Sequence, residues 1–301
     1  MFKSGFTGII GKPNVGKSTL LNSIVGQKIA ITTHKPQTTR NRITGIRNLG
    51  NAQIIFVDTP GLHKAKSPLA KSMVNAAREV LSEVDVVMLL VDAESGIRAD
   101  DLDIIASLKE TGTPAIAVIN KIDAVRKEDI LPMIEELSRL FPFKEIVPVS
   151  AIKKFNVERL EQVIAGYLPE GPQLFPEDMI TDVSERFIAA EIVREKVTLL
   201  THEEIPYSTA VVVDLFKEDE TKNLIRIQAV IQVEKDSQKG IIIGKKGAKL
   251  KEIGRQARLE MERFFAARVY LELFVRARKD WTQSDAMLQE LGYSPRKRNR
   301  K

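Results

Sequence analysis

GKPNVGKST, residues 11–19, follows the apolar run FTGII of residues 6–10 and leads into Leu20, Leu21, Ile24 and Val25, which are apolar at helical spacing. Strand, glycine loop, helix is therefore the local plan. Gly11 and Gly16 keep the backbone clear of Cβ atoms, so the loop Gly11, Lys12, Pro13, Asn14, Val15, Gly16 with Thr19 can wrap a polyphosphate. Lys17 then reaches the outer phosphates and Ser18 offers a hydroxyl to Mg²⁺. A basic glycine turn gives the same letters by chance, but not with a strand before it and a helix after it.

Further along, residues 29–42 (IAITTHKPQTTRNR) are polar and without period, as a mobile loop would be. Residues 43–49 and 53–57 read as two strands joined at Gly50-Asn51. The second ends in Asp58-Thr59-Pro60-Gly61. An acid at the carboxyl end of a strand beside a phosphate loop can hold Mg²⁺ through water, and the Gly61 N–H can meet a γ-phosphate.

A helix (69–81), a strand (86–91), a helix (102–108) and a strand (115–119) come next, and then Asn120-Lys121-Ile122-Asp123. The Asp123 carboxylate can accept from the ring N–H and the exocyclic amine of guanine, while Asn120 supports the loop and meets the base edge. Adenine has no such donors, and the wrong base would leave a buried carboxylate unpaired at a cost of several kcal/mol. Alone, Asp123 reads as a helix N-cap before it reads as a base contact; its place after a strand favours the base. A helix (130–140) and a strand (145–149) lead to Ser150-Ala151-Ile152, where the Ala151 N–H suits guanine O6. Residues 156–165 supply a closing helix.

Residues 1–170 resemble a translation-factor-class GTPase domain, and the wording GKPNVGKST, DTPG, NKID and SAI resembles the Era group. The resemblance implies an α/β P-loop GTPase domain with a mostly parallel six-stranded sheet, taking GTP or GDP with Mg²⁺. It implies a first switch at Thr38-Thr39-Arg40, with Thr39 the favoured Mg²⁺ ligand and Thr38 the alternative, and a second from Gly61 to about residue 73. Lys17, Thr39, Gly61 and Asn14 are the expected catalytic residues. The γ-phosphate and its metal hold both switches, and hydrolysis releases them. After Gly61, where Ras-like enzymes place a water-orienting glutamine, stands Leu62, so intrinsic turnover is expected to be slow. His63 reads as a solvated side chain before it reads as a base. In similar proteins with an asparagine at the position of Asn14, a potassium ion can supply the charge of an arginine finger.

Residues 171–180 are punctuated by Gly171, Pro172 and Pro176 and read as a linker. Residues 181–301 have a different order: a helix (183–200), strands (208–216 and 224–233) around a charged hairpin loop, the run Ile241-Ile242-Ile243, a glycine loop, a basic helix and a strand (268–275). This is an α+β plan. Gly244-Lys245-Lys246-Gly247 matches the GXXG of KH domains, which clamps single-stranded nucleotides. Between residues 235 and 263 nine basic residues stand against four acidic ones, which concentrates most of the chain's net charge of +6 beside this loop. The element order resembles the type II KH domain. Ile243, Gly244, Lys245, Lys246, Gly247, Lys249 and Arg255 are the RNA-binding candidates, with bases expected on an aliphatic groove around Ile241–Ile243 and with Phe264, Phe265 and Tyr270 in the core. The basic end, residues 294–301, is expected to be disordered until it meets phosphate.

A GTPase domain followed by a KH domain is the Era arrangement. It implies a switch in assembly of the small (30S) ribosomal subunit, with the KH domain on single-stranded RNA near the 3′ end of 16S rRNA, and a monomer. The composition supports a cytoplasmic protein: no cysteine in 301 residues removes disulfides and thiolate metal sites, three histidines make a histidine metal cluster improbable, and no long apolar stretch forms a signal peptide or a membrane span. Peripheral contact with the inner membrane stays open for a basic chain, although no segment argues for it. A vestigial nucleotide site, a P-loop ATPase and a tRNA-modifying GTPase are the rival readings. Intact Lys17, Ser18, Asp58 and Asp123 oppose the first two, and the lack of cysteine opposes the third.

Overall fold

The structure is a computed structural model that describes residues 1–61 and 67–293. The chain divides into two compact units, Met1–Ala65 with Lys71–Asp182, and Lys66–Ala70 with Val183–Lys301. Leu62, His63 and the basic end 294–301 lie outside the described residues.

The first unit runs β1 (Lys3–Ile10), α1 (Lys17–Val25), β2 (Ile43–Leu49), β3 (Ala52–Asp58), α2 (Pro68–Glu83), β4 (Val86–Asp92), α3 (Ala99–Leu108), β5 (Ala115–Asn120), α4 (Ile130–Leu140), β6 (Glu145–Pro148) and α5 (Val157–Tyr167). Its sheet has the order β2-β3-β1-β4-β5-β6, parallel throughout except for the β2–β3 hairpin. Strands β3, β4 and β5 are buried along their whole length, as continuous runs such as VVMLLVD must be when helices cover both faces. In this arrangement ligands gather where strands end and loops begin. The loops after β1, β3, β5 and β6 carry the four motifs to one edge of the sheet. In the hairpin, Ile43 pairs with Asp58, so β3 delivers its terminal carboxylate opposite the point where residues 29–42 enter β2.

Residues 29–42 carry no regular structure, yet they are laid against the domain. Ile29, Ala30, Ile31, Thr39 and Arg40 are buried. The Asn22 side chain clasps Ala30 at both ends, donating to its carbonyl at 2.7 Å and accepting from its N–H at 3.0 Å. The predicted linker also has partners. Gln53 Oε1 accepts from Leu174 N and Phe175 N, Thr181 Oγ1 donates to the Thr44 carbonyl, and Ile46 N donates to the Ile180 carbonyl. Residues 171–182 thus extend the first unit along its hairpin.

The second unit comprises α6 (Glu185–Leu200), β7 (Ala210–Asp219), β8 (Leu224–Val233), α7 (Asp236–Ile243), α8 (Ala248–Phe265), β9 (Arg268–Ala277) and α9 (Asp285–Glu290). Its sheet has β8 in the centre, antiparallel to β7 and parallel to β9. The core gathers Val193 and Val197 of α6, Ile227 and Ile231 of β8, and Ile253, Ala257 and Met261, one face of α8. Ser184 caps α6 by accepting from Phe187 N. Trp281 is fully buried and donates from Nε1 to the Ser208 carbonyl at 3.1 Å.

Two expectations need correction here. The isoleucine run ends a helix, α7, that the sequence reading omitted; Gln238 Oε1 accepts from Glu234 N and Lys235 N at its start. Ile242 is consequently turned inward, 0% exposed, and cannot line a groove, while Ile241 is exposed. Phe264 and Phe265 pack on the core with Phe216 in edge contacts, but Tyr270 is 53% exposed, as is Phe274. The cause is the alternation of β9, whose Leu271, Leu273 and Val275 face the core and leave Tyr270 and Phe274 on the other side.

Candidate functional site

The first motif turns at the end of β1 and starts α1 from Gly16, whose φ of 96° is left-handed. A Cβ there would stand 2.3 Å from Asn120 Nδ2, so only glycine lets the phosphate loop and the loop after β5 lie together. Asn120 ties them: Nδ2 donates to the Val15 carbonyl at 2.8 Å, and Oδ1 accepts from Ala151 N at 3.1 Å. Its buried amide thus ties three motif loops together.

Pro13, Asn14, Gly16, Lys17, Ser18, Thr19 and Gly61 line a cleft together with Ile31, Thr32, Thr33, Gln37, Thr38 and Thr39. Sequence reasoning omitted Ile31 to Thr33 and Gln37, because a loop without period gives no signal of which side chains point inward. Lys17 is buried, with Nζ 3.0 Å from the carbonyls of Gly11 and Lys12. Burial pulls its pKa down to about 8, against the pull of Asp58. Burial likewise pushes Asp58 up to about 6, opposed by Lys17, Ser18 and Thr39. Both groups are held in charged forms that the interior disfavours, a state suited to a site completed by charged ligands.

Ser18 Oγ donates to Asp58 Oδ2 at 2.6 Å and lies 2.8 Å from Thr39 Oγ1, which is 3.5 Å from the same carboxylate oxygen. Thr38 turns elsewhere, with Oγ1 donating to the Lys35 carbonyl at 2.7 Å and 2.6 Å from Thr33 Oγ1. Asp58 Oδ1 is buried without a hydrogen-bond partner. Two hydroxyls and a carboxylate with an orphan oxygen are hard donors that fit Mg²⁺ bound jointly with phosphate oxygens. Asn14, itself at φ 65°, donates from Nδ2 to the His34 carbonyl at 3.0 Å, joining the phosphate loop to residues 29–42.

On the base side Ser150 Oγ donates to Asp123 Oδ1 at 2.5 Å, and Lys121 Nζ pairs with Asp92 at 2.7 Å. Three predicted residues sit differently from the rest. The Lys12 side chain leaves the phosphate cradle for Asp101 at 2.8 Å, and only its carbonyl faces Lys17. Val15 is fully buried, and Ile152 is 73% exposed.

In the second unit Gly244 (φ 71°), Lys246 (φ 51°) and Gly247 (φ 78°) form a turn closed by Gly247 N donating to the Gly244 carbonyl at 3.1 Å. A Cβ on Gly244 would lie 2.8 Å from Lys249 Cβ. The turn opens α8, whose start carries no side-chain cap, with Lys245 and Lys246 exposed upon it. Ile243 and Lys249 are half-buried beside it. Arg255 is forked onto Glu252 at 2.9 and 2.7 Å, and with Gln256 it holds that carboxyl down to about 2. Its charge is already answered locally, which sets it apart from the lysines. Among the described residues no helix is long and apolar enough to cross a membrane.

A family model described as a 50S ribosome-binding GTPase matches residues 6–121, and a KH-domain model matches residues 204–282. The chain is 62% identical to GTPase Era of Syntrophus aciditrophicus over 98% of this chain and 96% of that protein. It is 56% identical to GTPase Era of Geotalea daltonii over 97% and 98%. Among solved structures, an Aquifex aeolicus Era variant bound to GDP·AlF4⁻ and an Era complex with MgGDPNP and nucleotides 1506–1542 of 16S ribosomal RNA each superpose with a TM-score of 0.94. Both are 46% identical and cover 98% of this chain and 100% of theirs. With a GTPase domain and a KH domain matched in order and such identity along nearly its whole length, the chain belongs to the Era family of GTPases.

Proposed function

We propose that the chain is a GTP-driven switch in small (30S) ribosomal subunit assembly, slow in its own turnover, whose KH domain holds single-stranded RNA near the 3′ end of 16S rRNA. The observation that carries the nucleotide half is the meeting of Ser18, Thr39 and Asp58 within 3.5 Å beside buried Lys17. Lys17 draws charge from the outer phosphates and is steered there by the carbonyls of Gly11 and Lys12. Ser18 and Thr39 would hold Mg²⁺ directly and Asp58 through water, and the ion would neutralise charge that develops on the phosphates. Gly61, in the loop after β3, would meet the γ-phosphate through its N–H. Asp123, oriented by Ser150, selects guanine.

Thr39 stands in the segment that would be released when the γ-phosphate leaves, and this segment is the moving part of the switch. Asn14 bridges the phosphate loop and the His34 carbonyl, and its amide oxygen is the group that would meet a potassium ion during hydrolysis. Equal turnover in sodium and potassium buffers would remove that role. The RNA half rests on the Gly244–Gly247 turn at the start of α8 and on the relative that carries 16S rRNA nucleotides. The domain limits that fit this function are 1–170 and 181–301, with residues 171–180 between them laid along the hairpin of the first unit rather than left as a free linker.

The deciding experiment measures GTP hydrolysis with and without a short single-stranded RNA from the 3′ end of 16S rRNA, in the native chain and after Gly244→Asp with Gly247→Asp. RNA should raise turnover in the native chain only. RNA affinity equal in the GTP and GDP states would end the switch model, because linkage is reciprocal.

A further inference from the structure

Residues 92–101, the loop between β4 and the first turn of α3, belong to none of the nucleotide motifs, yet they supply a carboxylate to two of them. Asp101 is fully buried; its Oδ2 accepts from Lys12 Nζ at 2.8 Å and from Arg98 N at 2.9 Å. Lys12 Nζ also lies 3.4 Å from the Gly96 carbonyl. At the other end of the loop Asp92 Oδ2 accepts from Lys121 Nζ at 2.7 Å and Oδ1 from Glu94 N at 3.0 Å, while Ala93 N donates to the Asn120 carbonyl at 2.9 Å.

Asp101 closes the first turn of α3 by accepting from Arg98 N, but that local role does not call for a lysine from the phosphate loop. Its Oδ1 is buried without a partner, which is costly. An ion pair this deep, with the Lys12 side chain 13% exposed and that of Asp101 0%, also adds little over apolar residues of the same volume. What the pair does achieve is direction. Lys12 is turned away from the phosphates by its side chain, and that turn presents its carbonyl to Lys17 Nζ at 3.0 Å. Lys121 takes a left-handed φ of 64° between two residues of the base pocket, a conformation that must be maintained from outside.

The geometry points to residues 92–101 as a brace that sets the phosphate loop and the base loop in one frame, with Asp101 positioning Lys17 through Lys12 and Asp92 positioning Asp123 through Lys121. This rests on residues 11–19 holding the phosphates of the nucleotide.

The test is a set of dissociation constants for fluorescently labelled GDP and IDP with the full chain. Asp101→Asn and Lys12→Met should each weaken GDP about tenfold, with the double variant no weaker than the worse single one. Their ratio of GDP to IDP affinity should stay native, because the base loop is untouched, and Lys12→Arg should recover most of what Lys12→Met loses. Asp92→Asn should instead narrow the GDP to IDP ratio. If Asp101→Asn does not fold, Lys12→Met, on a half-buried loop residue, decides the matter alone. A GDP affinity within twofold of native in Lys12→Met, or losses that multiply in the double variant, would overturn the brace. A native chain that fails to bind GDP would overturn the reading of residues 11–19 instead.

Discussion

Ser150 Oγ lies 2.5 Å from Asp123 Oδ1, across residues from two different strand ends. The hydroxyl fixes the rotation of the carboxylate, so that its remaining lone pairs are aimed before any base arrives. Ser150→Ala should therefore weaken GDP about tenfold and lower its preference over IDP, while Asp123→Asn should turn the preference towards xanthine nucleotides. Competition binding with GDP, IDP and XDP checks both.

Nucleotide affinity should be bell-shaped in pH. Asp58 is raised to about 6 in the folded chain, so its contribution to stability is fully present below its ordinary value of 3.8 and is lost as pH rises through 6. Lys17 is depressed to about 8, so its contribution is present above its ordinary 10.5 and is lost as pH falls through 8. Between about 6 and 8 the folded chain therefore bears both charges at a cost, and that is the form to which phosphate and Mg²⁺ bind. Affinity for Mg·GDP should fall by up to about tenfold per pH unit on either side of this window. Isothermal titration between pH 5 and 9.5 would show it, and a flat profile would contradict it.

Gly244→Ala should weaken single-stranded RNA more than tenfold, since the new Cβ meets Lys249 at 2.8 Å and the residue holds a φ of 71°. Lys245→Ala and Lys246→Ala should each lower the slope of log affinity against log salt by about 0.7. Arg255→Ala should change it less, because its guanidinium is already forked onto Glu252. Filter binding across a salt series separates the three.

Trp281→Phe keeps most of the ring volume but leaves the Ser208 carbonyl without its 3.1 Å donor. A buried acceptor abandoned in this way costs about 1–3 kcal/mol. Urea unfolding should show that loss in the second unit.

The strand-loop-helix plan around residues 11–19 was legible because every signal is local: β1 ends, two glycines turn, and Leu20, Leu21 and Ile24 resume a helical face. Long-range choices were not. Nothing near Lys12 announces that its ammonium goes to a carboxylate on α3, and Thr38 and Thr39 are adjacent letters that differ only in which way the folded loop turns them. Three consecutive isoleucines hid α7 because β-branched residues weaken a helical reading, although Gln238 at its first turn was a usable start signal. Tyr270 was grouped with Phe264 and Phe265 by proximity, whereas the strand's alternation sends it to the opposite side.

The pairing of Ile43 with Asp58 makes one carboxylate both the partner of Ser18 and Thr39 and the final rung of an antiparallel ladder. A ladder yields first at its terminal rung, where one side has no further neighbour. Were Thr39 released as proposed, the disturbance would therefore reach the hairpin at its end rung. Any unzipping from that end would meet Ile46, whose N–H is held from outside by the Ile180 carbonyl.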